Sequence, residues 1–200
     1  MTEEKYSASL VSQMFWLVEM KKVIKLISEG KTEKEIKRLS TEENLFGVAK
    51  EDRAKRIYGC TLRRIKTLDE KIINLFEEAD PATQKVINLI AIMKTDRLFF
   101  EFVYEVYREK NIIGSGILED MDVNVFFKNK EVQSEDIVAW SDVTKRKLRQ
   151  VYITFLTEAN LLTMSGRQKM ITPPILDSAL ERCLEEDKYA AIKKAIMGVN

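Results

Sequence analysis

The sequence has 200 residues, with 33 Lys and Arg, 32 Asp and Glu, no His and two Cys. Its 45% hydrophobic content is enough for a substantial core, and its seven Gly and three Pro favour a mostly helical globule of one large or two small domains. The net charge of +1 excludes a protein that binds nucleic acid over its whole surface, so any such site must be a local patch.

The absence of histidine excludes several kinds of chemistry. The chain has no Ser–His or Cys–His nucleophile pair and no imidazole metal ligand. Cys60 and Cys183 are widely separated thiols, and two such thiols do not form a zinc site. Gly114-Ser115-Gly116 is too short for a phosphate-binding loop and is typical of a linker. We therefore expect a protein that is not an enzyme and holds neither a metal nor a cofactor.

Three features of the sequence indicate the cellular compartment of the protein. The acidic start Met1-Thr2-Glu3-Glu4 differs from the basic start of a secretory signal peptide. The apolar run from Leu10 to Val18 is shorter than the roughly 20 residues that cross a bilayer. Isolated cysteines are typical of a reducing compartment. These features predict a cytoplasmic protein without a membrane segment.

Helix caps and apolar periodicity organise the N-terminal half. A long helix is predicted from about Ser9 to Glu29, where Gly30 ends it. The capping box Thr32–Glu35 begins a short helix that continues to Leu39. A basic helix is predicted over 51–66, and Thr67–Glu70 predicts a second capping box before a helix that ends near Glu78.

The short helix and the basic helix together form a possible helix–turn–helix-like unit. The cations outside the apolar arc of the basic helix include Arg53, Arg56, Arg63 and Arg64. Arginine suits bidentate contact with phosphate and recognition of guanine in a major groove. The alternative is an ordinary solvated face, which the acids Glu51 and Asp52 partly neutralise.

The middle of the chain predicts a buried spine. Asp80-Pro81 is a strong helix start, with an acid at the cap and proline at the first helical position. From Ala82 to Asn111 the sequence is apolar on most sides, so its Phe and Tyr side chains indicate a core rather than a base-stacking platform. Gly114 and Gly116 mark the junction between an all-helical domain, 1–113, and a second domain, 114–200.

The second domain has the pattern of a winged helix–turn–helix. Three helices are predicted over Leu118–Lys130, from Ser134, and over Asp142–Ala159. A β-hairpin follows, with strands at 161–164 and 169–172, and Pro173-Pro174 ends it. Further helices over 175–184 and 188–197 are expected to pack back on the body. The predicted fold is therefore mainly α, with a small β-hairpin wing.

The helix over Asp142–Ala159 carries the expected recognition surface. Its first two turns are crowded with cations, and Arg146 and Gln150 project directly away from the apolar arc towards base edges. The wing adds two more cations. The full set of candidate DNA contacts here is Lys145, Arg146, Lys147, Arg149, Gln150, Arg167 and Lys169. A solvated face and a protein-docking surface are the alternatives, because fold alone does not fix function.

Several segments together resemble the BrxA family, small proteins of bacterial BREX phage-defence systems. These segments are Tyr6-Ser7, the turn Gly30–Ile36, Glu43-Asn44-Leu45, Arg53–Ile57, Thr144–Leu148 and Glu158–Leu162. The resemblance covers most of the chain and includes no catalytic signature. It implies a helical, non-enzymatic accessory protein with helix–turn–helix elements that binds double-stranded DNA and acts beside other BREX components. It assigns no particular base contacts.

Two other functions remain open from the sequence. A protein-docking adaptor would set its basic faces against acidic surfaces of another subunit. An RNA-binding protein is the second alternative, because a likeness to the antitermination factor NusB is noted for the BrxA family; it would favour single-stranded or structured RNA over duplex.

Overall fold

The computed structural model describes residues 5–199, so the acidic start Met1–Glu4 lies outside the described residues. The chain is mainly helical and has one small antiparallel sheet. Its helices are α1 (Leu17–Ser28), α2 (Glu33–Thr41), α3 (Glu51–Ile65), α4 (Glu70–Glu78), α5 (Pro81–Thr95), α6 (Arg97–Phe102), α7 (Arg108–Ile112), α8 (Asp120–Gln133), α9 (Glu135–Val138), α10 (Asp142–Glu158), α11 (Ser178–Cys183) and α12 (Ala190–Met197). A π-helical segment, Val103–Tyr107, joins α6 to α7.

Local sequence signals set several helix starts as predicted. Thr32 and Glu35 form the reciprocal capping box at the start of α2. The carboxylate of Asp80 accepts the backbone N–H groups of Ala82 and Thr83 at the start of α5, with Pro81 at the first helical position. These ends form from residues within one turn of each other.

The helix predicted over Ser9–Glu29 is confirmed from Leu17 to its end before Gly30 and is wrong over its first half. Ser9–Ser12 forms a single 3-10 turn, Trp16 has a positive φ of 51°, and α1 begins only at Leu17. The interruption arises because the carbonyl of Phe15 accepts hydrogen bonds from Arg64 Nη1, at 2.6 Å, and Asn88 Nδ2, at 2.7 Å. Long-range polar partners thus outweigh the helical periodicity of this segment.

The predicted second capping box at Thr67–Glu70 is also wrong. Asp69 is the cap of α4, and its carboxylate accepts the backbone N–H of Ile72 at 3.0 Å. The Thr67 hydroxyl instead donates to the carbonyl of Arg64 and closes the end of α3. Aspartate is as strong a cap as threonine, so two neighbouring caps competed for one helix start.

The aromatic stripe of α6 belongs to the core, as predicted. Tyr152, in the middle of α10, lies at its centre, with ring centroids 5.0 Å from Phe99, 5.2 Å from Phe102 and 5.7 Å from Phe127. All four side chains are buried. These contacts fix the inner face of α10 against α6 and α8, and so determine which of its residues point outward.

The sheet has the strand order β1-β3-β2, with β1 Ile117–Leu118, β2 Leu162–Ser165 and β3 Gln168–Ile171. The hairpin agrees with the prediction to within one residue. Its two-residue turn begins at Gly166, whose φ of +60° is one that glycine adopts without strain. Strand β1 could not be predicted from the sequence, because two residues are too few to show an alternating pattern.

The C-terminal helices pack back on the N-terminal half, as predicted. The hydroxyl of Tyr189 donates to Asp69 at 3.0 Å, and Lys188 forms an ion pair with the same carboxylate at 2.9 Å. Helix α12 lies against the π-helical segment. The boundary between 1–113 and 114–200 stays a prediction, and contacts cross it.

The length and polarity of a helix determine whether it can cross a membrane. Within residues 5–199, every helix is too short or too polar to span a lipid bilayer.

Candidate nucleic-acid interface

Helix α10 presents its polar face through a well-defined start. The Ser141 hydroxyl accepts the backbone N–H of Thr144 at 3.2 Å, which fixes the first turn. Leu148, Phe155 and Tyr152 then anchor the opposite face in the core. Because the helical phase is set, Arg146, Lys147 and Gln150 are held on the solvent side, where all three are exposed.

Lys145 does not belong to that exposed set. Its side chain is buried, forms an ion pair with Glu131 at 2.8 Å and reaches the carbonyl of Val138 at 3.5 Å. The residue therefore ties α10 to α8 and α9. Its placement as a DNA contact is corrected: the position at the apolar border turned inward because a carboxylate on α8 was within reach.

Arg149 is half-buried and stacked. Its guanidinium carbon lies 5.1 Å from the centroid of the Phe127 ring. Its Nε atom is buried and has no hydrogen-bond partner among residues 5–199. Contact with the ring holds the guanidinium in place while its Nε donor stays unused.

A groove of about 490 Å³ separates α10 from the start of α8 and from β3. Two of its lining side chains are aliphatic, Val123 and Ile153, and the others are polar or charged. The remaining lining residues are Asp120, Asn124, Arg146, Arg149, Gln150, Thr154 and Lys169. The groove thus brings together four of the candidate DNA contacts from two separate elements.

The two cations of the hairpin, Arg167 and Lys169, differ in their exposure and in their ion pairing. Arg167 lies at the hairpin turn and is exposed. Lys169 lies one step down β3, opposite Met164 of β2, and its Nζ atom is 2.6 Å from the Asp120 carboxylate. Only Arg167 is therefore at the tip, while Lys169 belongs to the wall of the groove.

Three polar groove residues were not predicted from the sequence: Asp120 and Asn124 of α8, and Thr154 of α10. They lie among polar residues that any exposed helix carries, and no local pattern distinguishes them. Asp120 becomes notable only when the hairpin brings Lys169, 49 positions away along the chain, against it.

The candidate cations of the second basic helix, α3, differ in exposure and in ion pairing. Arg53, Arg56 and Arg63 are exposed, as predicted. Two further cations of this face are neutralised, since Lys55 pairs with Glu51 at 2.7 Å and Lys66 with Glu33 at 2.8 Å.

Arg53 also borders a mixed-charge depression. It lines a separate pocket of about 360 Å³ together with Lys85, Glu19 and Glu158. Burial raises the pKa of the Glu158 carboxyl, which has this pocket on one side. The N-terminal end of the α3 face is therefore less cationic than its sequence suggests.

Arg64 is buried, and its assignment as a DNA contact is corrected. It is 1% exposed and donates to the carbonyls of Phe15 and Met14 and, at 3.2 Å, to the side-chain oxygen of Gln13. Its guanidinium also lies over the Trp16 ring. Burial lowers the pKa of Arg64 to about 10. Periodicity placed this residue on the border of α3, and the unpaired carbonyls of the 13–16 segment drew it inward.

Metal binding has no candidate in the part of the chain that the structure describes, since no three acidic or cysteine side chains are grouped to hold an ion. The groove instead offers guanidinium, ammonium and amide donors, which suit an anion.

Comparison with known proteins places the chain in a family. The family model for BrxA matches residues 4–188. The chain belongs to the BrxA family. The matched segment includes both basic helices and the hairpin, so every candidate DNA contact lies within the BrxA match.

A relative and a solved structure extend this finding. The BREX protein BrxA of Bacillus cereus (strain H3081.97) is 42% identical over 175 residues, which cover 88% of each chain. The crystal structure of an uncharacterized protein from Magnetospirillum magneticum matches with a TM-score of 0.82 and 17% identity, covering 98% of this chain and 100% of that one. At that identity, the second match shows that the two chains share a fold and nothing more.

Proposed function

We propose that this BrxA-family chain is a non-enzymatic accessory protein of a bacterial BREX phage-defence system, that it acts in the cytoplasm beside other BREX components, and that it binds double-stranded DNA. The observation that carries the proposal is the convergence of α10 and the hairpin on one groove, where exposed or stacked cations outnumber acids. Such a patch is what a chain of net charge +1 needs in order to bind a polyanion.

The order of elements supports a winged helix–turn–helix reading of this region. The chain runs β1, α8, α9, α10, β2, β3, and the last two strands form a hairpin beside α10. In that arrangement α9 and α10 are the helix–turn–helix and the hairpin is the wing. The N-terminal half of α10 then enters the major groove, while Arg167 contacts the backbone beside it.

Phosphate contacts dominate the proposed binding. The cations available after correction are Arg146, Lys147, Arg149, Arg167 and Lys169. About five phosphate contacts give a log–log salt slope of roughly −4.5 by counterion release. Arg146 and Gln150 point away from the core and are the candidates for base edges, so sequence discrimination is expected to be modest.

A direct test compares two triple variants with equal loss of charge. Replacing Arg146, Lys147 and Arg167 by Ala removes three exposed cations of the proposed interface. Replacing Lys31, Lys34 and Lys37 by Ala removes three exposed cations at and near α2. In fluorescence anisotropy with a random 20-base-pair duplex at 100 mM salt, the first variant is expected to lose about 30-fold or more in affinity and the second less than about threefold.

The same experiment separates the alternatives. Tighter binding to a matched single-stranded or hairpin RNA than to the duplex would favour the RNA-binding function. Equal loss in both triple variants would show that only overall charge matters, and would contradict an interface on α10 and the hairpin.

A protein-docking function is a second candidate, favoured by one observation. Helix α8 exposes Met121, Val125 and Val132 on a stripe next to exposed Ile113. Three large apolar side chains on one exposed stripe are typical of a partner surface. Val125 and Ile113 also line a groove of about 260 Å³. Its charged lining residues are three acids, Glu105, Glu109 and Asp122, and one cation, Lys110, so a basic, aliphatic segment of another BREX component would fit it.

The docking function predicts a different sensitivity. Met121→Glu with Val125→Glu would abolish co-purification with co-expressed BREX components and leave duplex binding unchanged. Retention of every component by this double variant would count against the α8 stripe as a docking surface.

A further inference from the structure

The groove between α10, α8 and β3 contains one acid among its cations. We infer that this groove receives a DNA phosphate and that Asp120 is an internal counterion, which competes with that phosphate for Lys169 and so weakens DNA binding. This inference rests on the proposed DNA-binding function and adds a residue that opposes it.

Lys169 is already ion-paired with Asp120 in the structure. The ammonium of Lys169 lies 2.6 Å from the Asp120 carboxylate, and the lysine side chain is only 14% exposed. The rest of the Lys169 side chain lies along the wall of the groove. The Asp120 side chain, in contrast, is 87% exposed. The carboxylate that pairs with Lys169 is therefore open to solvent and lines the same groove.

The other cations of the groove have no such partner. Arg146 is exposed, and neither Arg146 nor Arg149 forms an ion pair within residues 5–199. The guanidinium of Arg149 is held over Phe127 with its Nε unpaired. Gln150 and Asn124 add amide donors. The site thus has donors ready for an anion and one internal anion that already uses Lys169.

Electrostatics predicts that Asp120 weakens DNA binding. A phosphate that enters the groove gains three cations but is placed near the negative charge of Asp120. When DNA displaces the Lys169–Asp120 pair, Asp120 takes up a salt cation, which offsets one counterion released from the DNA. An exposed acid partner is displaced at small cost, so the wild-type protein still binds, only less tightly and with a shallower salt slope.

Asp120→Asn tests this competition, and Asp187→Asn is its matched control. Asp187 is exposed in the segment before α12, lies outside the groove and outside the proposed helix–turn–helix and hairpin, and loses the same charge. At 100 mM salt, Asp120→Asn is expected to raise duplex affinity about threefold to tenfold over wild type and to steepen the log–log salt slope by about 0.9. The control is expected to change affinity by less than about twofold, because it removes no charge from the proposed interface and salt screens exposed charges.

The double variant Asp120→Asn with Lys169→Ala identifies the route of the effect. If Asp120 acts through Lys169, adding Asp120→Asn to Lys169→Ala gains less than about twofold. A full gain without Lys169 would overturn the competition and indicate plain repulsion of DNA. Circular dichroism melting of each variant confirms that the binding differences come from folded protein.

The outcomes separate this inference from the proposed function. Tight, salt-dependent duplex binding by wild type with equal affinities for Asp120→Asn and Asp187→Asn would overturn the inference and leave DNA binding intact. No duplex binding by wild type or any variant at 50 mM salt would overturn both. If 5′-AMP binding rises in Asp120→Asn while duplex binding does not, the groove serves a free phosphate monoester, and its assignment to a DNA phosphate is wrong.

Discussion

Arg64 shows how a single side chain changes the meaning of a basic helix. On α3 it stands next to Arg63, yet Arg63 is exposed and Arg64 is buried beneath the 13–16 segment. There it supplies the donors that Phe15 and Met14 lack because α1 has not yet begun. The residue holds the N-terminal segment in place, and its charge is not available to a ligand.

Replacing each of these neighbours by Ala should therefore give different results. Arg64→Ala leaves buried carbonyls without donors and opens a cavity, so we expect the free energy of unfolding to fall by about 2–4 kcal/mol. Arg63→Ala removes an exposed side chain and should cost less than about 0.5 kcal/mol. Urea denaturation measures both values. Equal losses would contradict the buried role of Arg64.

Asp96 is a buried acid with a measurable pH signature. Its carboxylate caps α6 through the backbone N–H of Phe99, at 2.8 Å, while its second oxygen has no hydrogen-bond partner among residues 5–199. Burial raises the pKa of Asp96 from 3.8 to about 6. The folded state thus binds a proton between about pH 4 and pH 6 that the unfolded state releases, and this contribution to stability is lost as pH rises through 6.

Asp96→Asn should remove that dependence and keep the cap, because the amide oxygen can still accept the Phe99 N–H. A shift of about two pKa units corresponds to about 2–3 kcal/mol. The variant is therefore expected to unfold with a larger free energy than wild type at pH 7.5, and the advantage should disappear near pH 4.5. Chemical denaturation at the two pH values measures it. A constant difference at both values would contradict the raised pKa.

At the scale of elements, α10 with the hairpin and α3 offer two basic faces of unequal strength. On α10 and the hairpin, ion pairs use Lys145 and Lys169. Arg146, Lys147 and Arg167 stay exposed, and Arg149 lies against Phe127 in the same groove. On α3, ion pairs use Lys55 and Lys66, and Arg53 borders the pocket that contains Glu19 and Glu158. Neutralised cations release fewer counterions on binding DNA.

The element-level prediction follows from this difference. Replacing Arg53, Arg56 and Arg63 by Ala should lower duplex affinity by no more than about threefold at 100 mM salt, far less than the α10 and hairpin triple variant. Anisotropy titrations under identical conditions compare the two. A larger loss from the α3 variant would make α3 the principal DNA-binding element.

Elements whose signals are local could be predicted from the sequence. Ser141, Asp80 and the Thr32–Glu35 box each act within one turn, and the Gly166 turn needs only its own backbone conformation. Two elements could not be predicted in the same way. The break before Leu17 depends on Arg64 and Asn88, and β1 exists only because β3 pairs with it.

At the scale of the whole molecule, one continuous core joins both halves of the chain. Phe15 contacts Phe155 of α10, while Tyr189 near the C-terminus bonds to Asp69 at the start of α4. The candidate site also depends on contacts between segments that are distant in the chain. Its exposed cations on α10 could be read from periodicity, but the groove needs Asp120 and Lys169 to meet across the fold. Which basic residues remain free is thus decided by tertiary contacts.

The salt dependence of duplex binding measures how many phosphates the cations of α10 and the hairpin contact. For wild type between 50 and 300 mM salt, five phosphate contacts less the salt cation that Asp120 takes up should give a log–log slope of roughly −3.6, and removing Arg146, Lys147 and Arg167 should reduce it to about −0.9, since each phosphate contact contributes about 0.9. The Lys31, Lys34 and Lys37 variant should keep the wild-type slope. An unchanged slope in the α10 and hairpin variant, or no duplex binding at 50 mM salt, would contradict the account.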